Sequence, residues 1–95
     1  MKILITGGAG FLGQRLARKL LEQGRLALGG AAPEPITQID LLDVVQTDAI
    51  NDTRVRSVKG DVADPAVLES LIDTDTTAIF HLAAIVSGQA EADFD

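Results

Sequence analysis

Gly7, Gly10 and Gly13 recur at three-residue steps in Thr6-Gly7-Gly8-Ala9-Gly10-Phe11-Leu12-Gly13, directly after the apolar run Ile3-Leu4-Ile5. A turn of this composition can hold phosphate with backbone alone. Gly7 permits a tight exit from a strand, and Gly10 lets the chain approach a phosphate with no Cβ in the way. Gly13, one turn into the following helix, lets that helix lie close on the sheet. Phe11 and Leu12 stand at the helix N-terminus, where free N–H groups and the positive end of the dipole favour an anion. Glycine triplets alone say little. Here the triplet follows a strand and opens a helix, the context in which it binds the pyrophosphate of a dinucleotide.

Asp43 adds a second element of the same chemistry. It follows Leu41-Leu42 at the expected end of a second strand. A carboxylate there accepts hydrogen bonds from the adenosine ribose hydroxyls and repels a 2′-phosphate, which selects NAD over NADP. The interval from the turn exceeds the usual twenty or so residues. The Gly- and Pro-containing loop 25–35 accounts for the excess without disturbing either strand. Asp40 is the competing acid, but it sits inside the strand and is expected to face a neighbouring element or an edge.

These residues need particular elements to position them. Residues 2–6 read as a strand buried on both faces, since their apolar side chains do not alternate with polar ones. A helix over Phe11–Gln23 follows from Leu12, Leu16 and Leu20 at four-residue steps, with Ala17 and Leu21 beside them and Gln14, Arg15, Arg18, Lys19 and Glu22 on the other face. Gly24 is its natural stop. Residues 25–35 read as a surface loop, 36–42 as the second strand, 46–53 as irregular, and 55–58 as the third strand. Asp64-Pro65 is a helix start, Asp as N-cap and Pro at the first helical position. Val67, Leu68, Leu71 and Ile72 give that short helix an apolar face. Residues 77–82 form the fourth strand, and the tail from 83 to 95 has no clear period. Strands alternating with helical stretches give an α/β, Rossmann-type parallel sheet with flanking helices. Right-handed crossovers make its strand order 3-2-1-4.

Composition narrows the function classes. Eight basic against fourteen acidic residues give a net charge of −6, with no Lys/Arg block and no Tyr or Trp, which argues against a nucleic-acid partner. No apolar stretch approaches the roughly 20 residues needed to cross a bilayer. Met1-Lys2 and the three apolar residues after them lack the length and cleavage site of a signal peptide. There is no cysteine, hence no disulfide framework and no thiolate metal site, and cytoplasmic residence is the default expectation. His81, the single histidine, has no Cys partner for a metal and is expected to be a hydrogen-bonded residue at a strand end rather than a catalytic one.

The spacing G-x-x-G-x-x-G differs from the G-x-G-x-x-G of many dehydrogenases. It resembles the short-chain dehydrogenase/reductase superfamily, and Thr-Gly-Gly-Ala-Gly-Phe-Leu-Gly looks like its extended branch of sugar-nucleotide epimerases, dehydratases and related dehydrogenases. Gly60-Asp61-Val62-Ala63-Asp64 is similar to that family's G-D-x-x-D segment. The resemblance implies that Asp61 contacts the adenine amino group and that Val62 lies alongside the ring, while Asp64 is better explained as the helix cap. His81-Leu82-Ala83-Ala84 resembles the segment after the fourth strand, which places Leu82, Ala83 and Ala84 near the cofactor's phosphates and ribose. The run from Ile85 onward is similar to an NAD-dependent group acting on four-carbon sugar acids such as D-erythronate. By that likeness Val86, Ser87 and Gly88 sit near the nicotinamide, with Ser87 and Gly88 toward the substrate.

Family members use a Tyr-x-x-x-Lys pair, in which the Lys lowers the pKa of a Tyr that exchanges a proton with the substrate hydroxyl. This sequence has no tyrosine, and its lysines are Lys2, Lys19 and Lys59. The resemblance therefore implies the NAD-binding amino-terminal part of an oxidoreductase, with the catalytic and substrate-binding portion beyond Asp95. It also implies a homodimer only for the longer protein, through helices not in these 95 residues. A sugar-nucleotide epimerase or dehydratase shares the cofactor site and stays open. So does a non-catalytic dinucleotide sensor.

Overall fold

The computed structural model describes residues 1–27, 29–72, 74 and 76–82. Among these described residues, six strands and two helices run in the order β1 (Lys2–Thr6), α1 (Phe11–Gln23), β2 (Arg25–Leu26), β3 (Glu34–Pro35), β4 (Gln38–Asp43), β5 (Val55–Lys59), α2 (Pro65–Leu71) and β6 (Thr76–His81). Four of them make a parallel sheet in the order β5-β4-β1-β6. Counting only those four, this is the expected 3-2-1-4. The structure is thus an α/β fold with a parallel sheet and flanking helices.

The two faces of the sheet explain the unbroken apolar strands. Ile3, Ile5, Ile39 and Leu41 point to one side and pack with Ala17 and Leu20 of α1 and with Ile36. Leu4 and Leu42 point to the other and pack with Leu71 of α2, joined by Val58, Val62, Val67 and Leu68. Of the apolar face of α1 read from Leu12, Leu16, Ala17, Leu20 and Leu21, all but the exposed Leu12 is thereby used against the sheet. Gly24 ends the helix in the left-handed region (φ 71°), its N–H bonded to the Leu20 carbonyl. Asp64 caps α2, its side chain accepting from the Ala66 N–H at 3.0 Å with Pro65 in the first position.

Three expectations are corrected. The stretch 25–35 is more than a loop: Arg25–Leu26 and Glu34–Pro35 pair antiparallel as a short ribbon, and the Gly24 carbonyl accepts the Ile36 N–H. The second sheet strand starts two residues later than read, at Gln38, and includes Asp43 as its last residue. The Thr37 N–H bonds the Met1 carbonyl, so the chain is still joining the sheet there. The fourth sheet strand starts at Thr76 and ends at His81, one residue before Leu82.

Between β4 and β5 the chain is irregular, as read. A tight turn there pairs Asp52 with Arg54, Nη2 to Oδ2 at 2.9 Å and Nε to Oδ1 at 3.0 Å. The Arg54 side chain and backbone N–H hold the Asp52 carboxyl down at about 2. A half-buried pair at the surface of a turn contributes little to stability.

Asp40 is fully buried within β4, and its carboxylate is gripped by Arg56 from β5: Nε to Oδ1 at 3.1 Å and Nη2 to Oδ2 at 2.9 Å. Gln38 Nε2 adds a third bond to Oδ1 at 2.7 Å. The two charges sit opposite one another in the β4–β5 register. The acid that competed with Asp43 is therefore committed inside the sheet.

Candidate functional site

All four sheet strands end on one side, at Thr6, Asp43, Lys59 and His81. From β1 the chain builds outward through β4 to β5, then returns to place β6 on the other side of β1. The carboxyl end of β1 is therefore the switch point of the sheet, where open α/β folds form their binding crevice. The glycine turn leaves from this point.

Gly7 takes φ 73°, a conformation side chains resist, and its N–H bonds the Leu42 carbonyl at 2.8 Å. The Gly8 N–H shares that carbonyl at 3.1 Å. The turn is thus laced to the end of β4 as well as to β1. Gly10 occupies the N-cap of α1 with no side-chain cap. A Cβ built on Gly10 would meet only the Gly7 carbonyl oxygen, at 3.4 Å, so the space before it is open. That open cradle fits a pyrophosphate, which the uncapped first turn at Phe11 and Leu12 suits electrostatically. Phe11 is 76% and Leu12 43% exposed at its rim.

Gly13 does a different job from the one expected. A Cβ there would lie 2.4 Å from the Gly7 carbonyl oxygen and 2.6 Å from Gly8 Cα. It lets the helix close on the phosphate turn itself, rather than on the sheet. Gly8, outside the expected triplet, is as restrictive: its Cβ would lie 2.6 Å from Leu41 Cβ and 2.7 Å from Leu41 Cα. The extra glycine in Thr6-Gly7-Gly8 was the only sequence signal for it.

Asp43 reaches the turn directly. Oδ2 accepts the Ala9 N–H at 3.1 Å and Oδ1 accepts the Val44 N–H at 2.7 Å. Each oxygen keeps a lone pair, enough to accept from a pair of ribose hydroxyls. Gly7, Leu42, Asp43, Val44, Gly60 and Val62 surround a cavity of about 80 Å³. Asp61, beside it, is exposed; its side chain accepts the Ala63 N–H at 2.9 Å and its carbonyl the Asp64 N–H. The structure thus brings together Gly7, Gly10, Phe11, Asp43, Asp61 and Val62 around one end of the sheet.

Leu82 directly follows the carboxyl end of β6, on the other side of β1 from that cavity. With Leu12, Arg15, Leu16, Lys19 and Phe80 it lines an open groove of about 570 Å³ along the flank of α1. Ala83, Ala84, Ser87 and Gly88 lie outside the described residues. His81 Nδ1 and the buried Thr6 Oγ1 are joined by a hydrogen bond of 2.9 Å, so the histidine is tied to the end of β1. Among the described residues no group of three His, Cys, Asp or Glu side chains could hold a metal, and no helix is long and apolar enough to cross a membrane.

Comparison with known proteins agrees with this geometry. A D-erythronate dehydrogenase from Cupriavidus necator is 63% identical over 95 residues, matching all of this chain and 29% of that protein. Another from Haemophilus influenzae is 49% identical, again over the whole chain and 28% of its own length. Among solved structures, a nucleoside-diphosphate-sugar epimerase from Agrobacterium tumefaciens aligns with a TM-score of 0.67 at 40% identity, covering all of this chain and 27% of that one. The chain spans less than a third of the length of the curated relatives it matches. The profile of the NAD dependent epimerase/dehydratase family matches residues 3–93, and the chain belongs to that family.

Proposed function

We propose that this chain forms the NAD-binding portion of an oxidoreductase that oxidises a hydroxyl of a sugar acid such as D-erythronate. The observation that carries the cofactor reading is the hydrogen bond that the Ala9 N–H donates to the Asp43 carboxylate, which ties a ribose acceptor directly to the phosphate turn. Gly7, Gly10, Phe11, Leu12 and Gly13 hold the pyrophosphate, Asp43 the adenosine ribose, and Asp61 and Val62 the adenine. Leu82, Ala83 and Ala84 pass along the phosphate and ribose side, with Ser87 and Gly88 toward the substrate. NAD supplies the hydride acceptor. The proton-transferring Tyr and Lys belong to the part of the protein that this chain, less than a third of the length of its relatives, does not span. The protein works in the cytoplasm on a small molecule, as a homodimer built by its later helices, without nucleic acid.

The substrate class rests on the identity to D-erythronate dehydrogenases over the whole chain. The epimerase structure, also matched along the entire chain, favours a second reading in which a nucleotide sugar is the substrate. Steady-state assays of the full-length protein separate them. D-Erythronate is expected to drive net NADH formation; turnover of UDP-sugars without net NADH would transfer the assignment to an epimerase, and turnover of neither to a dinucleotide sensor. In the same protein Asp43→Ala is expected to raise the Kd for NAD at least about tenfold, the scale of lost hydrogen bonds to a charged group. An unchanged Kd removes Asp43 from the site.

A further inference from the structure

The geometry points to Gln14 as a positioning residue that sets the conformation of the phosphate turn, an inference that rests on the NAD reading above. Gln14 lies one turn into α1 on the face that sequence pattern assigns to solvent. Instead its side-chain amide turns back, and Nε2 donates to the Ala9 carbonyl at 2.6 Å. The Ala9 N–H in turn donates to Asp43 Oδ2 at 3.1 Å. The Gly10 N–H, on the other end of the peptide that carries the Ala9 carbonyl, donates to the Gly7 carbonyl at 3.2 Å. Two consecutive peptide planes are therefore fixed, one by a side chain from β4 and the other by a side chain from α1.

Such anchoring matters because three of the four residues 7–10 are glycine. Glycine gives a turn the freedom to approach a phosphate, and the same freedom makes it costly to order. The next peptide along presents the Phe11 N–H, the first donor of α1. With the Ala9–Gly10 peptide held, the donors face the pyrophosphate before it arrives, and less ordering is left for the binding step. Without Gln14 the Ala9 carbonyl has lost its side-chain anchor, and the peptide can rotate about the flanking glycine. Gln14 touches no ligand in this scheme; it acts through Ala9.

Isothermal titration of the full-length protein with NAD, ADP-ribose and adenosine tests it. Gln14→Met keeps length and volume and removes the donor; Gln14→Glu also sets a carboxylate against the Ala9 carbonyl. For Gln14→Met, Kd is expected to rise about three- to tenfold for NAD and ADP-ribose alike, the scale of one hydrogen bond, and to change less than twofold for adenosine, which lacks the pyrophosphate. Gln14→Glu should lose more on the two pyrophosphate ligands. Equal losses on all three ligands, or a fall in Tm with unchanged Kd values, would make Gln14 a structural residue and overturn the inference. Unchanged affinities overturn it too. Failure of the native protein to bind NAD would instead overturn the function reading on which it rests.

Discussion

Replacing Gly13 by alanine should destabilise the fold and abolish most dinucleotide binding, although alanine is the better helix former. Inside α1 the substitution gains about 1 kcal/mol in intrinsic helix propensity. Against this stands a methyl group 2.4 Å from the Gly7 carbonyl oxygen and 2.6 Å from Gly8 Cα. Both neighbours are backbone and neither can swing aside. Gly8 is itself pressed on Leu41, its own notional Cβ 2.6 Å from Leu41 Cβ, so the turn has no room to retreat toward β4. Relief requires α1 to lift from the turn, and overpacking of this kind costs about 1–3 kcal/mol or more. The expected net is a loss of about 1–2 kcal/mol and an NAD affinity reduced more than tenfold, because the lifted helix carries its N-terminal N–H groups away. Chemical denaturation and titration calorimetry on the same sample measure both.

Gly10→Ala separates the two effects. Its Cβ would meet only the Gly7 carbonyl oxygen, at 3.4 Å, and φ −75°, ψ 170° suits any residue. Stability should change little while NAD binding falls, since the methyl group occupies the open cradle. A Gly13→Ala protein as stable and as tightly binding as the native one would refute the packing argument.

This contrast also shows what sequence could and could not convey. Gly7, Gly10 and Gly13 are recognisable by spacing, and the strand and helix beside them by period. The sheet order follows from the alternation of those elements and the handedness of crossovers. What each glycine touches is a tertiary fact: Gly13 meets the turn, and Gly8 meets Leu41 from a strand about thirty residues away. Gln14 was legible only as a polar helix position, because a 3.6-residue period says which face a side chain leaves from and not where its amide ends. The ribbon of Arg25–Leu26 with Glu34–Pro35 is two residues per strand, too short to show any period. The Thr6–His81 bond joins the ends of strands that only the completed sheet makes neighbours.

The second large effect is expected at a site far less conspicuous than the glycines. Arg56→Met removes the only cation on the fully buried Asp40 carboxylate among the described residues, leaving Gln38 Nε2 on Oδ1 and no partner on Oδ2. Breaking a buried pair from one side costs about 3–5 kcal/mol, because the remaining charge stays desolvated and unmatched. The Arg56 side chain is 55% exposed, so water can reach part of the vacated space, and the lower end, about 3 kcal/mol, is expected. That is a large share of the stability of an ordinary domain. The consequence reaches the cofactor site through register. Asp40 and Arg56 face one another across β4 and β5; two residues on, Leu42 offers the carbonyl that accepts from Gly7 and Gly8, and three residues on stands Asp43. A strand loosened at Asp40 therefore moves both anchors of the phosphate turn. Asp40→Leu combined with Arg56→Met leaves no buried charge and should recover much of the loss, as apolar replacements of buried pairs often do. Urea denaturation of the single and double variants gives the coupling energy. A single Arg56→Met variant within about 1 kcal/mol of the native protein, or a double variant less stable than the single, would mean that the pair does not hold β4 in place.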